Sequence, residues 1–116
     1  MAKYLVKADY KSKGTQGVIK EGGSGRRAAV KHAVEALGGK LESFYFAYGD
    51  IDAYVICDLP DPISAIALSL AVNGTGAVTV GTIPLITPED VDAAAKKAVA
   101  YRAPGAAAAG KGKSQK

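Results

Sequence analysis

Phe44-Tyr45-Phe46-Ala47-Tyr48-Gly49-Asp50-Ile51-Asp52-Ala53-Tyr54-Val55-Ile56-Cys57-Asp58-Leu59 is the stretch on which the fold turns. Its first run concentrates aromatics and its second is aromatic and β-branched, so each reads as a strand. Gly49 to Asp52 between them read as a tight turn, which makes the centre of the chain a β-hairpin. Both faces of this hairpin are nearly equally apolar, so two layers must cover it, and the flanking sequence can supply them.

Upstream, Tyr4, Val6, Ala8 and Tyr10 alternate with Leu5, Lys7 and Asp9, which is the period of a first strand. A short helical turn over Thr15 to Glu21 follows. Gly22-Gly23-Ser24-Gly25 breaks it, and a longer helix from Arg26 to Leu37 has Ser24 as its expected N-cap and Gly38 or Gly39 as its terminator. Val30, Ala33, Val34 and Leu37 form its apolar stripe, and His32, the single histidine, falls near 200° from Val30 at about 100° per residue, facing solvent.

Downstream of the hairpin, Asp61-Pro62 is a cap followed by a preorganised first helical residue. Ile63, Ile66, Ala67, Leu70 and Ala71 then recur at helical spacing until Asn73-Gly74 closes the helix. Gly76 to Leu85 reads as a fourth strand, with Pro84 placing its end on a sheet edge. Thr87-Pro88-Glu89-Asp90 resembles a capping box opening a last helix through about Tyr101. The order βαββαβ with an appended helix is the α+β, ferredoxin-like arrangement over residues 1–102, and residues 103–116 read as a disordered Ala/Gly/Lys tail.

Composition narrows function by exclusion. At 48% hydrophobic and 22% charged residues, the 116-residue chain is of ordinary globular type. No run reaches about eighteen uncharged apolar residues, and no leader-like segment precedes the first strand, so a cytoplasmic protein without membrane contact is expected. A lone Cys57 within an apolar strand reads as an inert buried thiol. The net charge of +4 is uneven: +6 over residues 1–40, −5 over 41–102 and +3 in the tail. The folded part is thus close to neutral, which argues against nucleic acid as a partner.

The blocks Glu21-Gly22-Gly23-Ser24 to Arg26-Arg27-Ala28-Ala29-Val30, Leu37 to Phe46, Gly49 to Asp52 and Asp58-Leu59-Pro60-Asp61 together resemble the GYD domain family of small bacterial proteins, over roughly residues 3 to 98. Ile51 stands where the family's name motif has its tyrosine. The resemblance implies a ferredoxin-like domain of the dimeric α/β barrel type, and it brings no established reaction.

Two groups of residues are candidates for a site. Gly22 to Arg27 place exposed backbone N–H groups and the guanidiniums of Arg26 and Arg27 where a phosphate or carboxylate could bind, although no Gly-Lys-Ser/Thr makes it a P-loop. The sheet face away from the helices should carry Lys7, Tyr54 and Asp58, with Phe44, Phe46 and Tyr48 added by alternation from the neighbouring strand. Such a face could be a ligand cavity or an interface with a second copy. The acidic residues Asp50, Asp52 and Asp61 fit turn and cap chemistry better than a metal or paired-carboxylate site. The expectation is therefore a homodimer, or a higher even-numbered oligomer, that binds a small and possibly anionic molecule or serves as an assembly module, with no metal or other cofactor. The alternative is a cofactor-independent oxygenase or isomerase using Tyr54, Lys7 and Asp58 as acid–base groups.

Overall fold

Four strands and three of the helices in the computed structural model, which describes residues 1–105, lie within residues 1–85. In chain order they are β1 (Ala2–Tyr10), α1 (Ser12–Glu21), α2 (Gly23–Ala36), β2 (Lys40–Phe46), β3 (Ala53–Leu59), α3 (Pro62–Gly74) and β4 (Val78–Leu85). The strands pair antiparallel in the order β2-β3-β1-β4. That order, with α2 and α3 contributing to a core on one face, is the ferredoxin-like α+β arrangement. The segment from Ile86 onward is a separate unit containing α4 (Pro88–Ala95). Most of the expected Ala/Gly/Lys tail, residues 106–116, lies outside the described residues.

Alternation in β1 and β3 sorts the core directly. Tyr4, Val6 and Ala8 of β1 and Ala53, Val55, Cys57 and Leu59 of β3 are buried, and they meet Val34 of α2 and Leu68 of α3. The cap at Asp61 is as expected: its side chain accepts the Ser64 N–H at 2.8 Å, with Pro62 at the first helical position. That bond holds the Asp61 carboxyl below its ordinary range. The Thr87/Asp90 capping box also forms, but α4 ends at Ala95, short of Tyr101.

Four expectations are corrected. The break before α2 is one residue, not four: Gly22, at φ 81°, separates α1 from α2 and is the N-cap, while Ser24 lies inside the first turn. An α1 helix of ten residues replaces the short turn. Helix α3 includes Asn73 and Gly74, Thr75 is its C-cap, and the left-handed residue after it is Gly76. The hairpin loop is also longer than a tight turn, since β2 stops at Phe46 and Tyr48 is a fully exposed loop residue. An Ala47 N–H to Asp52 carbonyl bond of 2.8 Å closes that loop.

Helix α3 is rotated relative to expectation. Ala65 and Leu68 are buried and Val72 packs against the core, whereas Ile63, Ile66 and Leu70 are 77%, 58% and 68% exposed. Polar residues of α3 point to the sheet instead. Ser69 Oγ and Thr82 Oγ1 lie 2.6 Å apart, and Asn73 accepts the Val80 N–H at 2.7 Å. Those bonds tie α3 to the edge strand β4 and leave its second apolar stripe outward.

Candidate functional site

Between the helices and the sheet lies an apolar cavity of about 130 Å³. Its origin is in side-chain size. Helix α2 packs chiefly over β2 and α3 over β4, so the central strands run beneath the gap between them. The residues facing that gap are small: Ala8 and Ala53 from the sheet, Ala29 and Ala33 from α2. Val30, Val55, Leu68 and Val72 complete walls that cannot close over the space. A volume of this order resembles the roughly 150 Å³ of an engineered apolar cavity that admits benzene.

Three polar side chains interrupt the apolar lining: Tyr10 and Arg26 near the end of β1, and Thr82 of β4, whose hydroxyl is engaged by Ser69. Tyr10 and Arg26 are positioned by backbone features. Asp52 donates its own N–H to the Ala8 carbonyl at 3.0 Å and accepts the Tyr10 N–H on Oδ2 at 2.8 Å, fixing the last residue of β1. The Tyr10 ring stands 6.2 Å from that of Phe46, which in turn lies 5.1 Å from Phe44. Arg26 is the fourth residue of α2, and its Nη1 donates to Glu21 Oε1 at 3.1 Å, across the α1–α2 junction at Gly22. A Cβ at Gly23 would meet the Phe46 ring at 3.0 Å, tight enough that the ring would have to give by a few tenths of an ångström, so glycine suits the close approach of α2 to β2 there.

The Arg26 guanidinium and the Tyr10 phenol share this part of the cavity lining. Burial pushes the Tyr10 phenol up, and Arg26 opposes that shift only in part. The pair therefore presents a neutral O–H and a guanidinium to a largely apolar space. Cys57, buried on the same face of the sheet, is likewise pushed up by burial, which keeps it a protonated, unreactive thiol.

The opposite face of the sheet is organised differently. Register places Lys7 opposite Tyr54, Leu5 opposite Ile56 and Lys3 opposite Asp58. Lys3 Nζ pairs with Asp58 Oδ1 at 3.0 Å and also with Glu42, and these bonds hold its ammonium above the ordinary lysine range. Tyr45 and Tyr54 are cross-strand neighbours, exposed on this face.

The sequence-predicted site residues thus divide into separate places. Lys7 and Tyr54 come together, but Asp58 is four residues from Tyr54 along β3, about 13 Å at strand rise, and its partner is Lys3. No single acid–base constellation unites the three. Phe44 and Phe46 are opposite Val55 and Ala53 on the helix face, contrary to their expected place, and Tyr45 occupies the open face instead. The cause is a bulge: Glu42 has no partner between the Leu41–Cys57 and Ser43–Ile56 pairs, and one extra residue reverses the facing of everything after it. Arg26 lines the cavity, while Arg27 is exposed in a shallow groove with Lys31 and Tyr45. Tyr10 and the alanines of the cavity wall were not singled out as site residues by the sequence.

Among the described residues, no group of three His, Cys, Asp or Glu is placed to hold a metal ion, and no helix is long and apolar enough to cross a membrane. Neither the curated proteins nor the solved structures contain a significant match to the chain. The model of the GYD domain family matches residues 4–95, most of the ferredoxin-like unit and α4, and the chain belongs to that family.

Proposed function

We propose that the protein is a small-molecule-binding protein of the cytoplasm, holding a compact, largely apolar ligand between the sheet and helices α2 and α3. The cavity carries this reading: about 130 Å³ walled by valines, alanines and Leu68 leaves apolar side chains without packing partners. A ligand of roughly benzene size restores the lost contacts and removes its own apolar surface from water. Toluene titrated into the isotopically labelled protein should shift the amide resonances of Val30, Ala33, Val55 and Leu68, and Ala33→Phe should abolish those shifts. Absence of any shift in the wild type would defeat the reading.

The working unit in this proposal is a homodimer joined through the open sheet face. Leu5, Ile56, Ile83, Tyr45 and Tyr54 lie on that face, Tyr45, Tyr54 and Ile83 among them exposed, and a two-fold partner presenting the same residues would bury them. Light scattering at micromolar concentration should give twice the chain mass. Tyr54→Lys should halve it, whereas Ile66→Lys on the outward stripe of α3 should not. A single-chain mass for the wild type would remove the dimer, and the reverse pattern in the two variants would move the interface to α3.

A further inference from the structure

The geometry points to a carboxylate-bearing ligand in this cavity: a compact aromatic or branched-chain acid whose carboxylate is held by Arg26 and Tyr10 while its apolar body lies among Val30, Ala33, Val55 and Leu68. This inference rests on the proposed binding role of the cavity and adds the chemical class of what enters it. Three observations converge on it.

First, Arg26 is a lining residue of a space whose other walls are almost wholly apolar. A guanidinium carries five N–H donors, and Glu21 engages only its Nη1, so donors remain for a second carboxylate in the forked geometry that arginine favours. Second, Tyr10 lines the same cavity as Arg26, and burial keeps its phenol protonated at neutral pH, so its hydroxyl can donate to an anionic oxygen. Third, Tyr10 is fixed from behind: the Asp52 carboxylate on its N–H and the Phe46 ring beside its own hold the phenol in place before a ligand arrives. The volume accommodates an apolar body of about six carbon atoms, by comparison with a roughly 150 Å³ cavity that holds benzene. A phosphorylated sugar or a nucleotide is excluded on the same grounds, since its many hydroxyls would face valine and alanine.

Calorimetric titration of the whole chain at neutral pH with benzoate, and with benzyl alcohol as its uncharged counterpart, tests the inference. Benzoate should bind the wild type roughly ten- to hundredfold more tightly than benzyl alcohol, the worth of charge-assisted hydrogen bonds. Arg26→Met should bring the two to similar affinity without losing benzyl alcohol, Arg26→Lys should restore part of the preference, and Ala33→Phe should remove both ligands. Equal affinity of the two probes for the wild type would overturn the carboxylate assignment and leave the cavity reading standing. Binding of neither probe, together with no toluene shift, would overturn both. Benzoate binding that survives Ala33→Phe would place the anion on the surface and overturn the assignment. The wild-type comparison needs no variant to fold.

Discussion

On the helix side of the sheet, β1 and β3 present Tyr4, Val6, Ala8, Val55, Cys57 and Leu59; on the other side, one residue along the same strands, they present Lys3, Leu5, Lys7, Tyr54, Ile56 and Asp58. The first set is buried and borders the cavity, where Tyr10 and Arg26 lie near the end of β1 and Thr82, bonded to Ser69, faces in from β4. The second is half-exposed, and its charges are spread over successive rungs, each met by a neighbour of different kind: Lys3 by two carboxylates, Lys7 by a tyrosine. A mixed face with dispersed charges suits contact with another surface, whereas a largely apolar hollow with a few polar groups suits a small amphiphile. In the proposal above, the two roles that the residues alone left undivided fall on opposite sides of one sheet.

The sharpest way to break this comparison is in β2, where neighbouring aromatics face opposite ways. Phe44→Ala should destabilise the protein by about 3 kcal/mol, since its ring packs on the core and walls the cavity. Tyr45→Ala should cost less than about 1 kcal/mol in a single chain, because the ring it removes is exposed. Urea unfolding of both variants measures the difference. If Tyr45→Ala proved the more damaging at every protein concentration, the bulge at Glu42 would be misplaced. A Tyr45→Ala effect that grows with protein concentration would instead report its loss from the proposed dimer.

That pair of residues also marks where sequence reasoning stopped. Strict alternation sorted β1 and β3 correctly because both strands are regular over their whole pairing. In β2 the same rule inverted Phe44 and Phe46, since no residue type signals that Glu42 is an unpaired extra one. Helix α3 misled for another reason: both its stripes are apolar, and Ser69 and Asn73, which would normally mark a solvent side, are bonded to β4. Arg26 was legible as an anion-binding candidate. The cavity beside it was not, because missing volume leaves only a faint trace, here alanine at Ala8, Ala29, Ala33 and Ala53 on facing elements.

A second contrast, of intermediate size, sets Asp52 against Asp58. Asp52→Ala removes the acceptor of the part-buried Tyr10 N–H and should cost about 1 to 2 kcal/mol. It should also lower the affinity for benzoate, because the phenol loses its fixed position, while Asp52→Asn keeps an acceptor and should recover most of both. Asp58→Ala loses a pair with a lysine that is still held by Glu42, so its effect should be smaller and should shrink further in high salt. Equal effects of Asp52→Ala and Asp52→Asn on benzoate would show that Asp52 acts through its charge and not by positioning Tyr10.

The smallest effect separates the two faces by their response to alkali. Tyr10 and Lys3 are both held above their ordinary values of 10.0 and 10.5, Tyr10 mainly by burial and Lys3 mainly by its bond to Glu42. In each case the folded state retains its proton to higher pH than the unfolded state does. The associated stability is therefore complete below the ordinary value and is lost as pH rises through the raised one. Cys57, raised from 9.0 by burial, contributes a loss of the same sign that is common to all variants tested. Urea midpoints followed upward from about pH 9 should fall less steeply in Tyr10→Phe and in Lys3→Met than in the wild type. Added salt at about 0.5 M should erase the difference made by Lys3→Met, whose partners are half-exposed, and spare the difference made by Tyr10→Phe. Salt that erased both differences would put the Tyr10 phenol in solvent and remove the polar end from the cavity; salt that erased neither would mean that Lys3 and its carboxylates are shielded from solvent even in the absence of a bound small molecule.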